Sequence, residues 1–275
     1  MQNAGFAALG LNWRYLAHEV RPEHLREALA GARRMNYLGL NLTVPHKMLA
    51  MDLVDVLDST AGTWGAVNTV LFEARDATGQ WRPLREFEEV PAETRSHGFN
   101  TDADAIPSAI RDDLGLELAR SSVLLLGAGG AGRTAALRLA AEGVRELWMV
   151  NRTKSKVAAL SEEINNRYPR TKCSVGYPVG TVDLVLNATS LGLATGDSLP
   201  FEEREFSLER AGAAFDMIYR PAETPFLKLA RASGRPAANG LGMLLYQGAK
   251  ALEIWTGQPA PVGVMRSALE ANIYG

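Results

Sequence analysis

Phe6, Leu9 and Trp13 recur at helical spacing, so the opening MQNAGFAALGLNW is expected to lie inside a helix. It has neither a basic n-region nor an apolar h-region, and is not expected to act as a signal peptide. Tyr15-Leu16-Ala17 reads as a short strand. Pro22 suits a first helical turn, and Leu25, Ala28, Leu29, Ala32 and Met35 then mark one helix face. Residues 39–44 form a strand closed by Pro45, and the helix after it turns Met48, Met51, Leu53 and Val54 inward. Val67 to Phe72 is β-rich. Residues 73–96 are charged and irregular, the pattern of a solvated long hairpin or surface loop.

A second series begins near residue 104. Ile106, Ala109, Ile110 and Leu114 share a helix face, and residues 122–126 (SVLLL) suit a strand buried on both sides. Helix 132–142, strand 146–150, helix 154–167 and strands 182–186 and 213–218 follow. The tail from 240 to 273 is helical, broken between Gly257 and Pro261. Strands alternating with helices of this length predict a parallel sheet covered on both faces, and the whole predicts two α/β domains.

Composition narrows the function. Lys and Arg total 29 against 31 Asp and Glu, a formal charge of −2, which argues against a protein held to nucleic acid or anionic lipid by bulk charge. No run approaches the roughly 18 apolar residues of a membrane span. The one cysteine, Cys173, excludes a disulfide framework and fits a reducing, cytoplasmic compartment. Four scattered histidines offer no metal site. Glycine is in surplus, 26 of 275 residues against an average of roughly 7%.

Part of that surplus sits directly after strand 122–126, as Gly127-Ala128-Gly129-Gly130-Ala131-Gly132. Positions 127, 129 and 132 meet the G-x-G-x-x-G spacing. The first glycine permits a tight turn, the second lets backbone approach a pyrophosphate, and the third lets helix pack against strand. The phosphates then meet free N–H groups at a helix N-terminus. A purely structural glycine turn is the alternative. An NAD enzyme usually carries Asp or Glu after the next strand, whereas this chain has Asn151-Arg152-Thr153 followed by Lys154 and Lys156. A guanidinium there suits a 2′-phosphate, so NADP is favoured over NAD.

In the first half, polar residues gather at strand ends: Asn41, Thr43, Lys47, Asn68, Thr69 and Asn100-Thr101-Asp102. Lys47 stands in the first turn of a helix, where the dipole disfavours a cation. Asp102 could balance it, and the two could exchange a proton with an alcohol oxygen while a cofactor moves a hydride. Two unrelated surface charges is the competing reading.

Taken together, NLTVPHK (41–47), GAVNTV (65–70), GFNTDA (98–103), GAGGAGR (127–133), NRT (151–153), NATSLG (187–192), DMIYRP (216–221) and NGLGMLLYQGA (239–249) resemble the shikimate/quinate dehydrogenase family, in family order and across nearly the whole chain. The resemblance implies reversible NADPH-dependent reduction of 3-dehydroshikimate to shikimate, a step toward aromatic amino acids. It implies a substrate domain of residues 1–103 plus 240–275, a Rossmann domain of 104–239, and a cleft between them. It makes Lys47 and Asp102 the catalytic pair, with Lys47 the acid/base. Asn41, Thr43, Asn68 and Gln247 become partners of substrate hydroxyls, and Tyr219 lies near the substrate carboxylate. Gly127, Ala128, Gly129, Gly130 and Ala131 with Asn151, Arg152, Thr153 and Lys156 form the NADP site, and Met217, Gly240 and Met243 approach the nicotinamide. The partners implied are small molecules, not nucleic acid or membrane, and a homodimer is compatible with the resemblance.

Two departures accompany it. The family pattern places a strand and a Ser-x-Ser segment ahead of a His-Asn pair. This chain begins at what resembles that pair, with Gln2 for His and Asn3 retained, so about twenty residues of the pattern are expected to be missing. The 73–96 stretch is longer than usual. Quinate or aminoshikimate oxidation, and a non-catalytic NADP-binding protein with a shortened substrate domain, are the competing functions.

Overall fold

The computed structural model describes residues 1–275. They divide into two compact units, residues 1–102 with 245–273 and 275, and residues 103–244 with Tyr274.

The first unit opens with α1 (Gln2–Ala8), whose Phe6 is buried. A 3-10 turn over Pro22–His24 leads into α2 (Leu25–Arg34), which buries Leu25, Leu29 and Ala32, one stripe at helical spacing. Then come β1 (Gly39–Asn41), α3 (His46–Leu49), β2 (Val56–Leu57), α4 (Ser59–Trp64), β3 (Thr69–Arg75), β4 (Trp81–Pro83) and β5 (Thr94–Phe99). The sheet runs β1-β3-β5-β2, with β4 also on β3. All its pairs are antiparallel except β2 with β5. Val70, Phe72 and Ala74 alternate along β3 into a core shared with Leu25, Leu29 and Ala32.

Several local expectations differ from the structure: the opening helix stops at Ala8 rather than reaching Trp13, strand 39–44 stops at Asn41, and Met35 is 65% exposed rather than on the buried face of α2. Tyr15-Leu16-Ala17 is not a strand, because a strand exists only in a ladder and β1 pairs with β3 alone. Met48 is 73% exposed rather than turned inward: α3 ends after four residues in a 3-10 turn over Ala50–Asp52, and Ala50 is buried instead. The 73–96 stretch makes the expected hairpin, β3 with β4, but is not wholly solvated. Strand β3 continues through buried Glu73, whose carboxylate accepts from Arg95 Nε at 2.6 Å, and Leu84 joins the core. Its Arg85 donates to the Trp255 carbonyl at 2.9 Å.

The second unit contains α5 (Asp102–Leu114, its first residue in the other unit), β6 (Ser122–Leu126), α6 (Gly130–Ala141), β7 (Glu146–Val150), α7 (Lys154–Arg167), β8 (Lys172–Val175), β9 (Val182–Asn187), β10 (Ala211–Asp216), α8 (Pro225–Ala232) and β11 (Ala237–Ala238). Its six strands are all parallel in the order β11-β10-β9-β6-β7-β8. This is the doubly wound Rossmann order, in which the progression of strands reverses between β6 and β9. Strand β6 is buried over its full length, as its unbroken apolar run requires. Strand β10 stops at Asp216 rather than 218, because the Ile218 N–H turns back to Asp216 Oδ1 at 3.0 Å.

The tail forms α9 (Leu241–Thr256) and α10 (Val262–Tyr274). From Leu245 it belongs with the first unit, while residues 240–244 stay with the second. There the Gly240 N–H donates to the Ile218 carbonyl at 3.1 Å, and a Cβ at Gly240 would stand 2.1 Å from the Met217 carbonyl oxygen.

Candidate active site

In the first unit, Lys47 Nζ lies 2.8 Å from Asp102 Oδ2, the two side chains being 27% and 30% exposed. They come from residues 55 positions apart. Lys47 follows Pro45 at the start of α3, and its carbonyl accepts from Val67 N at 2.8 Å. Next to Val67, the Ala66 carbonyl accepts from Asn100 Nδ2 at 3.0 Å, and Asn100 Oδ1 accepts from the Asp102 N–H at 3.1 Å. The ends of β3 and β5 thus fix both halves of the pair through hydrogen bonds to the backbone, leaving the charged tips together and partly exposed.

Asn68, 1% exposed, stands at the head of β3. Its Nδ2 lies 2.9 Å from Thr101 Oγ1 and 3.5 Å from Gln247 Oε1. The two amide hydrogens of Asn41 go to the Asn68 carbonyl (3.1 Å) and Thr69 Oγ1 (3.0 Å), and its Oδ1 accepts from Tyr15 OH at 3.0 Å. One lone pair of Asn41 Oδ1 is all that remains for another partner. Thr43 is exposed. Lys47, Asp102, Asn68, Gln247 and Asn41 are therefore one neighbourhood of the first unit. Tyr15 belongs to it without any local sequence signal, held by Asn3, whose amide brackets the Tyr15 N–H (2.7 Å) and carbonyl (3.0 Å). Gln2 Nε2 bonds the Gly248 carbonyl at 2.9 Å, one residue from Gln247. A cavity of about 720 Å³ lies among residues 13–20, α2 and β1. Asn41 and Thr43 line it, whereas Lys47, Asp102, Asn68 and Gln247 do not.

In the second unit, the loop after β6 turns on Gly127 at φ +102°, a conformation side chains avoid. A Cβ at Gly132 would come within 2.2 Å of the Gly127 carbonyl oxygen, so only glycine closes the helix onto the turn. Gly129 and Gly130 face open space at the N-terminus of α6. Asn151 Oδ1 accepts from Ala128 N at 3.0 Å and its Nδ2 donates to the Thr153 carbonyl at 3.0 Å, coupling the glycine loop to the start of α7. Arg152, Lys154 and Lys156 are exposed, and none of them enters an ion pair or a side-chain hydrogen bond. By contrast, Arg133, which closes the glycine motif, is spent on a two-pronged contact with Glu163 (2.6 and 2.9 Å). A run of free backbone N–H groups with cations at the end of the neighbouring strand is the donor set a dinucleotide bearing an extra phosphate needs.

Met217, Gly240 and Met243 gather at the end of β10, where Met217 N bonds the Asn187 carbonyl at 2.9 Å and Met243 N bonds the Gly240 carbonyl at 3.1 Å. Tyr219 is exposed, and its carbonyl accepts from Tyr274 OH at 2.7 Å. Beneath them Asp216 is wholly buried and accepts from Asn187 Nδ2 (3.0 Å), Thr224 Oγ1 (2.6 Å) and Ile218 N (3.0 Å). A carboxylate ending an apolar strand is its only trace in the sequence. Burial raises the Asp216 carboxyl above its ordinary value, against the opposing pull of Thr224, Ile218 and Asn187. The folded protein then holds this proton more tightly than the unfolded chain. The group's contribution to stability is full below the ordinary value and is lost as pH rises through the raised one. The advantage of the natural protein over Asp216→Asn in urea unfolding is expected to shrink as pH is raised from the ordinary Asp value, about 4, toward neutrality. An advantage that grows over this interval contradicts the assignment.

No group of three or more His, Cys, Asp or Glu could hold a metal ion, and no helix is long and apolar enough to cross a membrane.

Three family models match: the shikimate dehydrogenase substrate binding domain over residues 1–70, shikimate / quinate 5-dehydrogenase over 109–192, and the shikimate 5′-dehydrogenase C-terminal domain over 240–270. The shikimate dehydrogenase (NADP(+)) of Methanocella arvoryzae is 40% identical, covering 98% of this chain and 93% of that protein. A crystal structure of a shikimate dehydrogenase in complex with NADP+ superposes with a TM-score of 0.81 at 32% identity, covering 99% of this chain and 90% of that one. The Thermus thermophilus shikimate 5-dehydrogenase in complex with NADP(H) and shikimate gives 0.77 at 34% identity, covering 98% and 92%.

Proposed function

The chain belongs to the shikimate/quinate dehydrogenase family, and on that footing we propose that it interconverts 3-dehydroshikimate and shikimate with NADP(H). The observation that carries the reading is the Lys47–Asp102 pair at 2.8 Å, in one neighbourhood with Asn68 and Gln247. A secondary alcohol becomes a ketone by losing a hydride from carbon and a proton from oxygen. NADP+, when bound, accepts that hydride. The chain itself must take the proton, and Lys47 Nζ is the group for it, with Asp102 holding the amine in place.

Asn68 and Gln247, with Thr43 and the remaining lone pair of Asn41, are assigned to substrate hydroxyls, and Tyr219 to the carboxylate. The residues suit NADP: the 127–131 backbone and Asn151 for the pyrophosphate side, Arg152, Thr153 and Lys156 for the 2′-phosphate, and Met217, Gly240 and Met243 for the nicotinamide end. We place the reaction in the cytoplasm, a reading supported by the single unpaired cysteine, Cys173.

Initial rates with shikimate, quinate and aminoshikimate, each with NADP+ and NAD+, test the proposal. Shikimate with NADP+ is expected to give the highest kcat/KM. Tight NADPH binding without turnover of any of the three would overturn it in favour of a binding protein, and a preference for quinate would reassign the substrate.

A further inference from the structure

We infer that Thr101 is a positioning residue: its backbone N–H sets the flip of the Asn68 amide and its hydroxyl holds the amide nitrogen so that the remaining hydrogen faces substrate; this rests on the assignment of Asn68 to a substrate hydroxyl. Asn68 and Thr101 are 1% and 2% exposed and Thr69 is fully buried, so every polar atom here must find a partner within the protein or its ligand.

An amide has two lone pairs on oxygen and two hydrogens on nitrogen. Asn68 Oδ1 accepts from the Thr101 N–H at 2.8 Å and from Thr69 Oγ1 at 3.2 Å. A backbone N–H only donates, so it identifies this end as the oxygen and fixes the flip. One Asn68 hydrogen goes to Thr101 Oγ1 at 2.9 Å. Thr101 thus grips both ends of the amide, main chain to oxygen and hydroxyl to nitrogen, with the hydroxyl proton reaching the same oxygen at a longer 3.3 Å. The second hydrogen meets only Gln247 Oε1, at a long 3.5 Å. Thr69 is oriented in the same sense, because its Oγ1 accepts from Asn41 Nδ2 at 3.0 Å and its own proton is left for Asn68.

The consequence is a defined polarity. Asn68 shows the substrate one weakly engaged N–H and no unspent lone pair, so the substrate oxygen it meets must accept. The residue next in sequence to Asp102 therefore acts on that oxygen through the Asn68 amide it holds.

The experiment compares Thr101→Val, which keeps shape and backbone N–H but loses the hydroxyl, with Thr101→Ser, which restores it. In T101V the KM for shikimate is expected to rise about tenfold, the effect of one buried hydrogen bond, while the KM for NADP+ stays within about twofold. T101S should return the shikimate KM to within about twofold of the natural protein. A general structural role would move both constants together and would not be rescued by serine. An unaltered shikimate KM in T101V, alongside a raised one in Asn68→Ala, overturns the inference. An unaltered shikimate KM in Asn68→Ala removes the substrate contact itself, and the inference falls with that assignment. Should T101V fail to bind NADPH, Thr101→Ala against T101S makes the same comparison.

Discussion

Replacing Lys47 by alanine should lower kcat for shikimate oxidation by about three orders of magnitude, within the range of a lost general acid/base. NADPH affinity should be unchanged, because the glycine loop and Arg152 belong to the other unit. The fold should also hold. The Lys47 carbonyl bond from Val67 N survives the truncation, and Asp102 keeps its N–H bond to Asn100 and its partial exposure to solvent. A pair this exposed contributes at most about 1 kcal/mol to stability, so activity and stability should part company. Lys47→Arg sharpens the test. It preserves the positive charge beside Asp102, but a guanidinium does not give up its proton, so the variant should be nearly as inactive as K47A. Fluorescence titration with NADPH beside steady-state turnover reads both quantities. Recovery of most activity in the arginine variant would mean that charge alone, not proton transfer, is what Lys47 supplies.

The legible parts of this molecule are those whose physics is local. SVLLL followed by GAGGAG can be read as buried strand, turn and helix, because each glycine answers a steric demand within a few residues, and the loop forms there. The stripe of Leu25, Leu29 and Ala32 is equally local. Strand Tyr15-Leu16-Ala17 fails because pairing belongs to a neighbour that the segment cannot specify. Strands β8 and β11 carry no clear sequence signal for the related reason that KCSV and AA are short edges, given their identity by β7 and β10. The meeting of Lys47 with Asp102 is an open question on residue chemistry and becomes expected only through the family pattern, since nothing in the 55 positions that separate them encodes a 2.8 Å contact. Thr101 and Asp216 act through buried hydrogen bonds, and a side chain's partner is invisible until the fold closes over it.

Arg152→Ala is expected to raise the KM for NADP+ between about tenfold and a hundredfold, the range of a hydrogen bond to a charged group, and to leave the KM for NAD+ nearly unchanged. The reason lies in cations left unspent. Arg133 in the first turn of α6 and Arg138 in its last turn are committed to Glu163 and to Glu142 with Asp104, while Arg152, Lys154 and Lys156 make no such pairs. Three unpaired cations clustered at the N-terminus of α7 repel one another and lie at the end of the helix dipole that disfavours them. The arrangement loses local stability in every state except one in which a dianion sits among them. NADP+ differs from NAD+ by such a group, so deleting one cation penalises only the first cofactor. Arg152 should matter more than the lysines, because its planar fork can meet two phosphate oxygens at once, and Arg152→Lys should recover only part of the loss. Added salt should weaken NADP+ binding more than NAD+ binding in the natural protein, with the difference reduced in R152A. Equal losses for both cofactors would assign Arg152 to the loop's structure rather than to the 2′-phosphate.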